Sequence, residues 1–264
     1  MIFKALRSVW ETVTLLCFPR RCPLCDRVLG RDVVDGLLCP ACAAKEEQLR
    51  HMPPRLPATE HCFYAVAGAA SAYYYEGEIR QAILRCKLHG QIWYIRELTD
   101  LAALRLFPSE PAEKTGRLPV YLGVPTLQPF DCIVPVPPRL GEEKGLRIPE
   151  QIARRLGKIL GLPVSRALRP TRKMEPQKGL DLADRLRNRK KGYVVCDYPA
   201  IAGRRVLLVD DIITSGATVS ACAKALYDGG AADVFAVSLA VEEDRLSALP
   251  NNKEIRYEAA GHRH

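Results

Sequence analysis

The chain has 264 residues, 48% of them apolar, with ten cysteines and a formal net charge of +9. Such a length buries a sizeable core and accommodates one large domain with a small appendage, while no run reaches the roughly 18 to 20 uncharged apolar residues of a membrane span. The basic balance points to anionic ligands or partners, either phosphorylated small molecules or nucleic acid.

Residues 2–16 place Ile2, Phe3, Leu6, Val9, Trp10, Val13 and Leu16 at three- and four-residue steps, the spacing of an amphipathic helix. Lys4 and Arg7 precede Leu15-Leu16-Cys17, but Glu11 interrupts the apolar region and no small-residue cleavage site precedes Cys17. A signal peptide is therefore not expected, and a cytoplasmic location is.

Four of the cysteines, Cys22, Cys25, Cys39 and Cys42, fall as C-x2-C-x13-C-x2-C. Two such knuckles can direct four thiolates to a tetrahedral zinc, with Gly30 and Gly36 suited to a hairpin between them. Four thiolates leave no open position for water, so the expected metal is structural and not catalytic. The other six cysteines are scattered, as buried thiols in a reducing compartment would be. Pro53, Pro54 and Pro57 then mark a linker. The expected organisation is an N-terminal helix and zinc-ribbon-like module over 1–50, a linker over 51–62, a main domain over 63–245 and a frayed tail over 246–264.

From Phe63 onward strand and helix signals alternate. Strands are expected over 64–72, 132–136, 193–196, 206–209 and 234–241, and helices over 79–87, 92–107, 149–160 and 217–227, with a proline-rich connection over 108–129. This alternation implies an α/β fold with a mostly parallel sheet covered on both faces.

The stretch Val206-Leu207-Leu208-Val209-Asp210-Asp211-Ile212-Ile213-Thr214-Ser215-Gly216-Ala217-Thr218 carries the strongest chemistry. A buried strand runs into two acids, a small-residue turn and a helix start. Backbone N–H groups at a helix start attract phosphate, Gly216 permits close approach, and the hydroxyls add donors. Two carboxylates at a strand's carboxyl end can accept both hydroxyls of a ribose. The implied ligand has a sugar diol and a phosphate. Between Arg166 and Lys191 ten basic residues face three acids, a local charge of +7 that suits a polyanion. Taken alone, that cluster also fits a solvated loop, Lys87 fits a helix-surface lysine, and Val134-Pro135-Val136-Pro137 fits a plain strand end.

Taken together, these segments resemble the ComF family, which joins a zinc-ribbon-like module to a type I phosphoribosyltransferase domain of Rossmann-like α/β fold. The resemblance runs from about Cys22 to Val241. It includes Ile133-Val134-Pro135-Val136-Pro137, Tyr75-Glu76-Gly77 with Arg80, Lys87 and Gly90, and Pro176-Gln177-Lys178-Gly179-Leu180 with Arg185 and Asn188. It implies that Asp210 and Asp211 hold the ribose hydroxyls of phosphoribosyl pyrophosphate (PRPP). Thr214, Ser215, Gly216, Ala217 and Thr218 would cradle its 5′-phosphate. Val136, Pro137 and Arg139 would face the pyrophosphate with Mg2+, Lys87 would belong to the same set, and the basic segment 169–191, with Arg185, would form a hood over the leaving group.

Two uses of such a pocket follow. One is Mg2+-dependent phosphoribosyl transfer, with Asp210, Asp211 and Arg185 as the catalytic set. The other is non-catalytic PRPP sensing by a competence protein that binds single-stranded DNA beside a DNA-translocating helicase. A transcriptional regulator is disfavoured, since no helix-turn-helix pattern precedes the pocket. One segment departs from the family pattern: Lys144-Gly145-Leu146-Arg147-Ile148 stands where relatives commonly read R-G-F-N-Q. The acceptor and the oligomeric state have no sequence signature.

Overall fold

A computed structural model describes residues 20–29, 37–50, 66–91, 93–107, 130–138, 147–171 and 192–242. The expected N-terminal helix, the linker, the 108–129 connection, Gly30, Gly36, Arg139, Arg185 and most of the hood lie outside the described residues. The elements are α1 (Pro40–Arg50), β1 (Gly68–Tyr74), α2 (Gly77–His89), α3 (Trp93–Leu106), β2 (Cys132–Pro135), α4 (Ile148–Leu160), β3 (Leu168–Pro170), β4 (Tyr193–Val195), β5 (Arg205–Ile213), α5 (Ala217–Asp228) and β6 (Asp233–Val241).

Four strands form a parallel sheet in the order β1-β6-β5-β2. β6 and β5 are the two inner strands, and residues 206–209 of β5 are completely buried because both faces of that strand are covered. Successive side chains alternate between the two layers. Leu207 and Val209 join the core containing Ile83, Ile95, Leu98, Ile152 and Leu156, whereas Val206 and Leu208 join the core containing Val219, Cys222 and Leu226. Each fully buried Leu or Ile of this kind contributes about 1.5–3 kcal/mol by removal from water. Inside the sheet a polar pair is self-satisfied: the Ser71 and Ser238 hydroxyls lie 2.6 Å apart.

Three differences from the sequence expectations bear on the site. First, β5 does not stop at Val209 but continues through both acids to Ile213, since β6 supplies ladder partners at Ser238, Ala240 and Val241. Second, β4 does not enter the main sheet. It pairs antiparallel with β3, which periodicity did not reveal because it is only three residues long and ends in proline. Third, the second cysteine knuckle runs directly into the eleven-residue helix α1.

The cysteine module packs on the body of the chain. Cys22, Leu24, Leu38, Cys39 and Cys42 belong to the same apolar core as Ile83 and Cys86 of α2 and Tyr94 of α3. Arg85 Nη2 donates to the carbonyls of Pro23 at 2.9 Å and Leu24 at 2.8 Å, and Tyr94 donates to Asp26 Oδ1 at 2.6 Å. A Lys45–Glu78 ion pair and a 2.8 Å hydrogen bond from Tyr73 to Glu46 link α1 to the same body.

Among the described residues no helix is long and apolar enough to cross a membrane.

Candidate functional site

Strand β2 ends at Pro135, opposite Val209. One further bond, from the Val136 amide to the Val209 carbonyl at 2.8 Å, extends the pairing, and then Pro137 and Pro138 offer no N–H to continue it. Beyond this point β5 keeps its β6 neighbour but loses its β2 neighbour. The helix that follows β2 packs in one core layer and the helix that follows β5 packs in the other. A crevice opens where connections diverge to opposite faces at the carboxyl ends of parallel strands, and ligands bind there.

The crevice is a cavity of about 720 Å³, within the range of small-molecule sites. Its floor is Asp210 and Asp211. Burial, followed by the Asp211 charge, pushes the Asp210 carboxyl up to about 8. Asp210 Oδ1 accepts the Asp211 amide at 2.8 Å, and Asp211 Oδ1 accepts the Ile212 amide at 2.8 Å. Each carboxyl is thus braced by the backbone of the next residue. Lys87, near the end of α2, lies with Nζ 2.8 Å from Asp211 Oδ2. Behind the floor Cys222 is fully buried, and desolvation raises its thiol well above the usual range, so it is inert.

The turn after the acids forms the next wall. Gly216 occupies the N-cap position of α5 at φ 74, a left-handed conformation that a Cβ would strain. The first-turn amides of a helix have no intrahelical acceptor. Thr214, Gly216, Thr218 and Val219 line the cavity at this helix start. Ser215 and Ala217 do not line it; they are exposed beside it, with the Ala217 amide 3.5 Å from Ser215 Oγ. Val136 and Pro137 line the side facing the acids, and Lys87 is in the same wall system. Of the site residues expected from sequence, eight therefore share one cavity, two flank it, and Arg139 and Arg185 are not among the described residues.

A further part of the lining includes Arg147, from the segment that departs from the family pattern, and Arg166 and Arg169, from the basic segment, together with Glu150 and Tyr193, which the sequence reading did not single out. Glu150, in the first turn of α4, is buried. It is paired with Arg154 at 2.5 Å, with Arg166, and with Arg147 at 3.7 Å. The spacing of Arg147, Glu150 and Arg154 at three- and four-residue steps is a helix-face signal visible in sequence. Arg166 joins them only through the chain's return after α4.

In the cysteine module, the Sγ atoms of Cys22, Cys25, Cys39 and Cys42 all lie within 4.8 Å of one another, and those of Cys25 and Cys39 are 3.6 Å apart. Tetrahedral zinc with Zn–S bonds of about 2.3 Å sets its sulfurs about 3.8 Å apart, so the quartet fits a metal such as zinc.

No family model matches the chain. A curated protein named putative ribose-phosphate pyrophosphokinase 2, from Lactococcus lactis subsp. lactis (strain IL1403), is 34% identical over 59 residues, which is 22% of this chain and 17% of that protein. Two solved structures are similar in part. One, described as the allosteric regulatory enzyme of purine biosynthesis, matches with a TM-score of 0.31 and 19% identity over 42% of this chain and 22% of that one. The other is the glutamine PRPP amidotransferase of B. subtilis complexed with ADP and GMP, with a TM-score of 0.30 and 20% identity over 40% of this chain and 22% of that one. The chain thus spans about a fifth of the length of the proteins it matches.

Proposed function

We propose that the chain binds PRPP with Mg2+ and transfers its phosphoribosyl group to an acceptor, as a ComF-like member of the type I phosphoribosyltransferases. The observation that carries this reading is the junction at the end of β5, where two adjacent carboxyls and a left-handed glycine at a helix start share one cavity. Asp210 and Asp211 take the two ribose hydroxyls and thereby orient C1. The turn from Thr214 to Thr218 takes the 5′-phosphate through backbone amides and hydroxyls. Transfer forms a bond from the acceptor's nucleophilic atom to C1 as the C1–O bond breaks, the electron pair leaving on pyrophosphate and the acceptor's proton passing to solvent. The cavity volume leaves room for a hydrated cation beside the pyrophosphate. Magnesium, when bound there, supplies charge neutralisation. Val136 and Pro137 border that end, and Arg139 and Arg185 are assigned to it from their motifs. The relative whose name specifies ribose phosphate and pyrophosphate supports the ligand class. In the same proposal a structural zinc sits on the cysteine quartet, which leaves it no open coordination position.

Titration of PRPP with Mg2+ into the wild type and an Asp210→Asn, Asp211→Asn variant tests the assignment. Binding should fall at least tenfold in the variant, and equal affinity refutes it. Pyrophosphate release on adding an acceptor separates transfer from sensing.

A second reading, PRPP sensing by a competence protein that binds single-stranded DNA beside a helicase, is favoured by the +7 excess over 166–191. Such binding rests on phosphate contacts and must weaken steeply with salt. Salt-insensitive binding, or normal DNA uptake in a deletion strain, removes it.

A further inference from the structure

The cavity lining has two chemically distinct parts. One is the carboxyl floor, where Lys87 is engaged by Asp211. The other is the wall built on Glu150, where three guanidinium groups converge on one carboxylate. The Glu150 side chain is only 8% exposed, while those of Arg147 and Arg166 are 44% and 59% exposed. One buried negative charge thus holds three cations, and two of these present their free edges to the cavity and solvent.

This arrangement is poorly explained as a stabilising device. Exposed ion pairs contribute little to folding, and a single arginine would satisfy the buried carboxylate. Two surplus positive charges side by side repel one another, a cost that an anionic ligand removes. The guanidinium is a planar fork matched to carboxylate or phosphoryl oxygens. Anchoring two of them on a shared buried acid restricts their rotamers before the ligand arrives, which lowers the entropy lost on binding. Arg169 and Tyr193, from the antiparallel β3–β4 pair, line the same cavity and add a further cation and an aromatic edge.

We propose that Arg147 and Arg166, oriented by Glu150, form a second anion-binding subsite that selects an acceptor or co-ligand bearing a carboxylate or phosphoryl group. The assignment rests on the PRPP reading only for the identity of the neighbouring ligand. It makes the pocket specific for an acidic partner molecule in the same cavity as the sugar-binding carboxyls.

The test uses full-length protein and matched probe pairs of one shape and two charges: nicotinate against nicotinamide, and benzoate against benzamide. Binding is followed by ligand-observed NMR with PRPP and Mg2+ saturating, and again without them. The acids should bind at least about tenfold more tightly than the amides, the scale of a lost charge-assisted hydrogen bond. The preference should vanish in an Arg147→Gln, Arg166→Gln variant whose PRPP affinity stays within about threefold of wild type and whose circular dichroism is unchanged. Equal binding of acids and amides overturns the proposal. So does a variant in which PRPP affinity itself collapses, because the arginines then serve the pyrophosphate of PRPP. If PRPP fails to bind the wild type while the acid preference persists and is lost in the variant, the PRPP reading falls and the anion subsite stands.

Discussion

Lys87 Nζ sits 2.8 Å from Asp211 Oδ2, so the last turn of α2 supplies a cation to the acids at the end of β5. Two residues earlier on the same helix, Arg85 holds the first cysteine knuckle through the carbonyls of Pro23 and Leu24. One helix therefore touches both the acidic floor of the cavity and the cysteine module.

Replacing Lys87 by Met should remove the cation from the floor and weaken PRPP binding by about ten- to a hundredfold, the range of a charge-assisted contact. Stability should change by less than about 1 kcal/mol, because the lysine is partly exposed and its pair is screened. Calorimetric titration and a thermal melt check both halves. An unchanged affinity would make Lys87 a surface lysine.

The Asp210 carboxyl, held up at about 8 by burial and by Asp211, contrasts with about 3.9 for an unfolded aspartate. Between those values the folded chain binds more protons than the unfolded chain. This contribution to stability is complete below about pH 4 and is lost as pH rises through about 8. At 1.36 kcal/mol per pH unit it amounts to several kcal/mol at most. The cysteine quartet works in the opposite sense, since metal binding needs thiolates and weakens in acid. The difference between wild type and Asp210→Asn in denaturant titrations from pH 5 to pH 8 isolates the aspartate. Wild type should lose stability relative to the variant as pH rises, and parallel curves would contradict the buried carboxyl.

Gly216→Ala forces a side chain into a backbone at φ 74. The strain should cost about 1–2 kcal/mol and should weaken ribose 5-phosphate binding by more than the fold loss alone, because the turn's close approach is blocked. A melt and a titration with ribose 5-phosphate read these separately. An undiminished affinity would remove the turn from the phosphate site.

Stripping the cysteine quartet of metal with a chelator should lower the melting temperature of the whole body and not of the module alone, because Cys22, Cys39 and Cys42 share a core with α2 and α3. Metal analysis should give one zinc per chain in the wild type and none in Cys22→Ser, Cys39→Ser. Arg85→Ala, which leaves all four thiols, should cost about 1–3 kcal/mol through the two orphaned carbonyls. A melt of the body indifferent to chelator would show that the module is only tethered.

Local patterns determined much of this. The C-x2-C pair, the buried run at 206–209 with its two acids, Gly216 at a helix start and the β/α alternation are all short-range signals. Each encodes its geometry through a few neighbouring residues, by thiol spacing, apolar period or a φ that only glycine adopts freely. Only the tertiary structure decided the rest. Whether β5 would continue through Asp210 and Asp211 depended on Ser238 to Val241 of β6 standing alongside, and the fate of β4 depended on Leu168 to Pro170, 23 residues upstream at Pro170–Tyr193 pairing. The approach of Arg166 to Glu150, and of Lys87 to Asp211, joins residues far apart in the chain, whereas Arg147 and Arg154 meet Glu150 at helical spacing. The distant pairings are set by which layers stack on the sheet, and no local propensity encodes them.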